Sequence, residues 1–281
     1  MDILASEGNR VELSLPARFG QQLEVFGRVV YALILRESRT RHGALRIGYA
    51  WAIIEPALEI GVLYFCYQML GRVTPINASM FAFLMTGIFP YLAWRSASVR
   101  GATAIESNLP LLVHPQVQPF SVVTARVLLE LATTLIIFWM FVFLLFLFNG
   151  EPVTNFLDKP IELLGAFGAM SFLAFGFALA NAGISRFLRF WPEVIRVTAR
   201  ILFFTSGVFY TMEALPPSAR EFILLNPLAH MIEWIRDAAL PGFASDHFSV
   251  IYVLGWGLWL TALGLFLDWM VRVSGHGEAH G

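Results

Sequence analysis

The sequence predicts an all-α integral membrane protein. It has six transmembrane helices, an N-terminal amphipathic interfacial helix, and short outer re-entrant helices before the last span. Three observations carry this. Hydrophobic residues make up 57% of the 281 and charged residues only 14%, with a mean hydropathy of +0.67; a soluble domain has nowhere to bury that much apolar surface, so its solvent is lipid. Apolar runs near the 20 or so residues that cross a bilayer as a helix recur along the chain. The charges are segregated as well. With the N-terminus inside, only Arg72, Lys159, Arg220 and Arg236 of the nineteen Lys and Arg fall on outer segments, and the positive-inside rule then puts both termini in the cytoplasm.

Residues 1–46 form the cytosolic N-terminal part. The opening MDILASEGNRVELSLP is polar and acidic without an apolar core, which is not the pattern of a cleaved signal peptide. In 19–35, Phe19, Leu23, Phe26, Val30 and Leu33 recur at three- and four-residue steps, with Gln22, Glu24, Arg28 and Tyr31 tending to the other side. Such a helix suits the inner interface or the flank of a cytosolic partner. Arg36, Arg39, Arg41 and Arg46 follow, directly before the first apolar run. They place guanidinium groups where a lipid phosphate or an acidic sugar would lie.

The transmembrane domain covers 47–273, with spans at 47–70, 78–99, 120–148, 162–184, 194–211 and 248–270, and 274–281 is a cytosolic tail. The third span is longer than needed and tilts or projects. Arg196 and Arg200 occupy the first turns of the fifth and leave a short clean stretch, ILFFTSGVFY. Without that span, the acid-rich stretch 213–247 would share a side with the Arg186–Arg200 cluster, so parity keeps it. Pro216-Pro217, Asn226-Pro227 and Pro241-Gly242 break 213–247 into short helices. Irregular backbone at membrane depth is tolerated only where it is buried in protein or lines a wet cavity. The acidic residues of this outer element are expected to face the periplasm.

Several kinds of chemistry have no signature. Net charge is −1, which argues against nucleic acid as a partner. Cys66 is the only cysteine and the six histidines are scattered, so no thiolate or histidine metal site is predicted. The only lysine, Lys159, sits in Leu-Asp-Lys-Pro, far from any phosphate-binding loop. No cofactor is expected on this chain, and any ATP must be bound by another subunit. A membrane-embedded transferase would need converging acids or histidines, and nothing in the spacing of His42, His114 and Glu193 links them. Glu55 and Glu59 lie four apart on the first span, either on a transport pathway or paired with Arg95 or Arg100. Arg126 and Glu130, also four apart, are expected to pair with each other. Gly165, Gly168, Gly176, Ala180 and Gly183 mark the fourth span for close helix packing.

Four patches resemble the membrane subunit of capsular polysaccharide exporters, ABC transporters of the ABC-2 permease type. They are Arg36-Glu37-Ser38-Arg39-Thr40-Arg41 with Gly48 to Pro56; Ala104-Ile105-Glu106-Ser107-Asn108 through His114-Pro115 to Pro119; Trp191-Pro192-Glu193; and Asn226-Pro227-Leu228-Ala229-His230 through Arg236-Asp237 to Pro241-Gly242. The similarity covers nearly the whole chain in order. Arg189 is followed by Phe190 rather than Asp, which leans towards the capsule branch and away from the O-antigen branch.

The resemblance implies a six-span permease of the bacterial inner membrane, working as a homodimer with two ATP-binding cassette subunits. It would export a lipid-linked acidic polysaccharide towards a periplasmic co-polymerase-like adaptor. Arg36, Arg39, Arg41 and Arg46 would grip the substrate head or membrane lipid at the gate. Glu106, Asn108, His114 and Pro115 would form the ATPase-coupling loop, and Glu221, Asn226, Pro227, Trp234, Arg236 and Asp237 the periplasmic re-entrant element. Alternatives are an ABC-2 permease for an O-antigen or teichoic-type glycan or a small lipid or drug, and a membrane-embedded transferase.

Overall fold

A computed structural model describes residues 15–41, 47–71, 78–149 and 158–278, with side chains at 20–39, 52–71, 78–147 and 158–274. The regular elements among them are helices: α1 Leu15–Arg41, α2 Ile47–Met69, α3 Met80–Ala102, α4 Pro119–Asn149, α5 Pro160–Phe187, α6 Trp191–Thr205, α7 Pro217–Ile223, α8 Pro227–Ala239 and α9 Val250–Glu278. Arg46, His42 and residues 279–281 of the C-terminal tail lie outside the described residues. Pro at N1 opens α5, α7 and α8, where its missing N–H costs nothing.

α3 is the hub. It is buried along nearly its whole length, from Phe83, Leu84 and Met85 to Tyr91, Trp94 and Ala97, and α2, α4, α5, α6 and α8 pack around it. Phe89 meets Phe138 and Phe141 edge-on at 5.5 and 5.4 Å, and Phe138 meets Phe167 at 5.4 Å, which ties α3, α4 and α5 together. Side-chain contacts set the helix directions. Arg186 at the end of α5 pairs with Asp268 late in α9 at 2.8 Å, while Lys159 before α5 pairs with Asp237 of α8 at 2.7 Å. Consecutive long helices therefore alternate: α2, α4 and α6 start at an arginine-rich end, and α3, α5 and α9 return to it.

Three described helices are long and apolar enough to cross a membrane, within Pro119–Leu147, Pro160–Phe187 and Val250–Ser274. α2 and α3 have 23 residues each and carry charged residues inside them, Glu55 and Glu59 on one, Arg95 and Arg100 on the other. α6 is shorter than the expected 194–211. Its 15 residues reach about 22 Å, and the chain leaves the helix at Ser206 and Gly207, the latter at φ +78°. The outward faces are apolar, with Ile136, Phe143, Ile161, Leu164, Ile251 and Trp259 all exposed, as lipid contact requires.

α1 is longer than the predicted 19–35, and its apolar stripe meets the chain itself: Phe26 lies 5.6 Å from Phe120 of α4, and Val30 is buried. Between α5 and α9 the small residues let the backbones touch. A Cβ on Gly264 would sit 2.7 Å from the carbonyl carbon of Leu179, and one on Gly176 would sit 2.8 Å from the carbonyl oxygen of Gly257. Of the other fourth-span glycines, Gly183 abuts Leu267, whereas a Cβ on Gly168 would meet open space. Gly264→Ala is accordingly expected to destabilise the detergent-solubilised protein by about 1–3 kcal/mol, the usual cost of overpacking, and Gly168→Ala to raise the melting temperature slightly, by the roughly 0.5–1 kcal/mol that alanine gains over glycine in a helix. Equal melting curves for the two variants would contradict this packing.

Candidate functional site

The arginine-rich end contains a cleft of about 270 Å³ between α2, α3 and α6, lined by Glu55, Arg95, Ser96, Val99, Arg100, Arg196, Ala199 and Arg200. Helical spacing builds it. Ser96, Val99 and Arg100 share one face of α3, and Arg196, Ala199 and Arg200 share one face of α6. The Tyr91 hydroxyl donates to the Ala199 carbonyl and holds the two helices together. Arg95 donates to Glu55 at 2.5 Å and to Glu59 at 3.1 Å, so both glutamates of the first span converge on one guanidinium. Arg100 meets Glu130 of α4 at 3.1 Å, and Arg196 pairs with Glu193 one turn before it. No carboxylate among the described residues pairs with Arg200. A guanidinium carries five donors, so one ion pair leaves Arg100 and Arg196 able to bind a further anion. Four guanidiniums with one lining carboxylate suit a phosphate- or carboxylate-bearing ligand.

The pairing expected between Arg126 and Glu130 does not form. Arg126 faces α1 and meets Glu37 at 2.8 Å, while Glu130 sits inside the α3–α4 contact and takes Arg100. Tertiary partners outcompete the neighbour one turn away because they satisfy charges that packing has removed from water.

Residues 103–118 join α3 to α4 through a 3-10 turn, Glu106–Leu111. Glu106, Leu109, Val113, His114 and Pro115 are exposed on this loop, while Asn108 is buried. Asn108 Nδ2 donates to the Ala104 carbonyl at 2.9 Å, and Arg36 donates to Asn108 Oδ1 at 3.0 Å. Arg126 also donates to Ser107 Oγ at 3.0 Å. Two residues assigned to separate tasks, Arg36 at the gate and Asn108 in the loop, thus touch. Arg39 is exposed, and the side chain of Arg41 lies outside the described residues.

At the opposite end, α7 and α8 form the short-helix element. Asn226 caps α8, its Oδ1 accepting from Leu228 N at 3.0 Å, with Pro227 at N1. The expectation that the acidic residues here face solvent needs correction. Glu221 and Glu213 are exposed, but Glu233 and Asp237 are buried. Asp237 accepts from Lys159 and, at 3.1 Å, from Ser245 N, because α8 is enclosed by α3, α5 and α9. The bond to Asp237 raises the Lys159 pKa above its ordinary value. Trp234 stacks on Phe248 at 6.0 Å, and Arg236 is fully buried. In the sequence, Arg196 and Arg200 read as a weakness of the fifth span and as part of the inner basic cluster, not as a site. Their four-residue spacing at the start of an apolar helix was the available signal.

A family model described as "ABC-2 type transporter" matches residues 28–240, which takes in the cleft, the loop and α8. The chain belongs to the ABC-2 type transporter family. Among curated proteins it is 32% identical over 248 residues to the polysialic acid transport protein KpsM of Escherichia coli, covering 87% of this chain and 93% of that one. It is 29% identical over 252 residues to the capsule polysaccharide export inner-membrane protein BexB of Haemophilus influenzae, covering 89% and 93%. The capsule polysaccharide export inner-membrane protein CtrC of Neisseria meningitidis serogroup B matches at 29% over 259 residues, covering 91% and 94%. The O-antigen export system permease protein RfbA of Klebsiella pneumoniae is more distant, 24% identical over 234 residues.

Proposed function

We propose that the chain is the membrane-spanning permease subunit of an ATP-driven exporter that carries lipid-linked acidic capsular polysaccharide across the bacterial inner membrane. The observation that carries this reading is the four-arginine cleft. It lies between membrane helices at the end of the bundle where basic residues gather, and an anionic lipid head could enter it. Family membership and the named roles of the relatives support the same reading. The chain would act as a homodimer with two ATP-binding subunits, whose contact is the loop carrying Glu106, His114 and Pro115. Arg39 and its N-terminal neighbours would make first contact with the anionic head, and Glu221 would face the periplasmic adaptor.

Six spans with both termini cytoplasmic fit the alternation of helix directions, with α6 as a short fifth pass completed by residues 206–211. In a Cys66-replaced background, single cysteines at Ser79 and Glu221 should react with an impermeant thiol reagent on intact cells, and one at His114 should not. Labelling at position 114 would overturn the orientation.

The functional test is reconstitution in vesicles with the ATP-binding subunit and a lipid-linked acidic glycan. Purified alone, the chain should show no ATP hydrolysis. With its partner it should deliver polymer to the far side in proportion to ATP consumed. Delivery of a neutral lipid or drug at equal rate, with no preference for the anionic glycan, would overturn the substrate class.

A further inference from the structure

Residues 205–212 connect α6 to the short-helix element, and side chains rather than a helix or sheet take up most of their backbone carbonyls. Asn226 Nδ2 donates to Ser206 Oγ at 2.8 Å and to the Thr205 carbonyl at 3.4 Å. Arg236 donates to three carbonyls, those of Gly207 at 2.6 Å, Val208 at 2.8 Å and Tyr210 at 2.9 Å. The carbonyl between them, on Phe209, accepts from the Tyr67 hydroxyl at 2.6 Å. Glu233 Oε1 accepts from Met212 N at 2.5 Å, and Arg220 Nε donates to the Met212 carbonyl at 2.8 Å. One strap of chain is therefore gripped residue by residue from α2, α7 and α8.

Arg236 is the centre of this grip. Its side chain is 0% exposed and its guanidinium carbon lies 4.1 Å from the centroid of the Phe83 ring on α3. No carboxylate among the described residues forms an ion pair with it. The approach is close enough that a Cβ on Gly87 would sit 2.7 Å from Nη2 and 2.9 Å from the Val208 carbonyl oxygen. Glu233, three residues earlier on α8 and also buried, attracts it through space without contact; burying a cation with no carboxylate touching it is still expensive, and apolar residues of similar volume would close a helix bundle at lower cost. What a guanidinium adds is a rigid fork whose donors fix several acceptors at once.

We infer that Arg236 is a positioning residue for transport: it fixes the far end of α6 against α3 and α8. The other half of α6 carries Arg196 and Arg200 into the cleft. With the strap held, a displacement of α6 at the cleft is delivered to α8 at the opposite end instead of being absorbed in a loose connection. This rests on the export reading above.

The test uses the full permease–ATPase complex in vesicles and in cells. Arg236→Lys keeps the charge but replaces the planar fork, whose two terminal nitrogens hold the three carbonyls, by a single point donor. It should assemble and hydrolyse ATP as wild type does, while polymer exported per ATP falls about tenfold, the effect of losing one charge-assisted hydrogen bond. A cysteine at Val208, fully buried in the native protein, should react with an external thiol reagent about tenfold faster in the Arg236→Lys background. Tyr67→Phe removes one hydroxyl from the same strap and should shift both readouts in the same direction by a smaller factor, which keeps the test alive if Arg236→Lys does not assemble. Unchanged export per ATP in both variants would overturn the inference. So would a loss explained wholly by less complex in the membrane, with export per complex and labelling rate as in wild type. If the wild-type complex itself exports no anionic glycan, the export reading fails instead.

Discussion

Replacing Arg196 and Arg200 together by alanine should lower export of the anionic glycan by about two orders of magnitude at limiting substrate, with assembly and ATP hydrolysis retained. A hydrogen bond to a charged group contributes about 1.5–3 kcal/mol, and each 1.4 kcal/mol is about tenfold in affinity. Neither residue supports the bundle. Both are exposed at the cleft; among the described residues Arg196 pairs with the exposed Glu193 beside it and no carboxylate pairs with Arg200. Substitution by lysine keeps the charge and so the topology, but gives up the planar two-donor fork, and should cost about tenfold. The defect should appear as a higher substrate requirement and should deepen with salt, since exposed charges are screened. Arg28, paired with Glu24 on the open face of α1, provides a control, because exposed pairs of this kind contribute about 0–1 kcal/mol. Wild-type export by the double alanine variant at limiting substrate would remove the cleft from the pathway.

Glu37→Arg should abolish export by detaching α1 from the coupling loop. Glu37 and Arg126 are 17% and 14% exposed and 2.8 Å apart. Removing one partner from a pair this sheltered, and putting a like charge in its place, costs about 3 kcal/mol or more. Arg126, on α4, also holds Ser107 Oγ, and Arg36, beside Glu37 on α1, holds Asn108, so α1 reaches the loop directly through Arg36 and by way of Arg126 through Glu37. The variant should still bind its ATPase through the exposed Glu106 and His114, yet hydrolyse ATP without moving polymer, and α1 should become sensitive to added protease. Combining Glu37→Arg with Arg126→Glu should restore part of the export. Restoration is incomplete because a carboxylate at 126 cannot donate to Ser107 or to the Arg100 carbonyl. Full export by Glu37→Arg alone would show that α1 is not linked to the coupling loop through this pair.

Much of the fold was legible. Apolar runs located α2, α3, α4, α5 and α9 to within a few residues, except at the end of α9, which runs on from the expected 270 to Glu278, because lipid imposes one requirement on all of them: a continuous helix with its polar backbone satisfied internally. The prolines at 217 and 227 marked where α7 and α8 begin. The fifth helix was misjudged at its end. Residues 206–211 are apolar enough to continue it, but Arg236 and Tyr67 offer their carbonyls other partners, and those lie far away in sequence.

The candidate sites were legible in part. Glu55, Glu59 and Arg95 announced themselves as charges inside apolar runs, and the structure brings them together. Arg36 carried the signal of a basic cluster, yet its Asn108 contact, 72 residues away, has no local trace. Asp237 looked like a periplasmic acid because it lies in an acid-rich, proline-broken outer stretch, and only the packing of α3, α5 and α9 around α8 shows it to be buried.

The sequence by itself determined that this chain is an all-helical membrane protein with its arginines gathered towards one side, and it identified the family through four ordered patches. These properties follow from the composition and period of short windows, on which solvent and secondary structure depend directly. Tertiary structure alone decided which arginines share a cleft, which carboxylates are buried, and where α6 stops. Each of those turns on a side chain or backbone group choosing between a near neighbour and a distant partner. The choice goes to whichever group packing has removed from water alongside it, because there an unmet charge or hydrogen bond costs most.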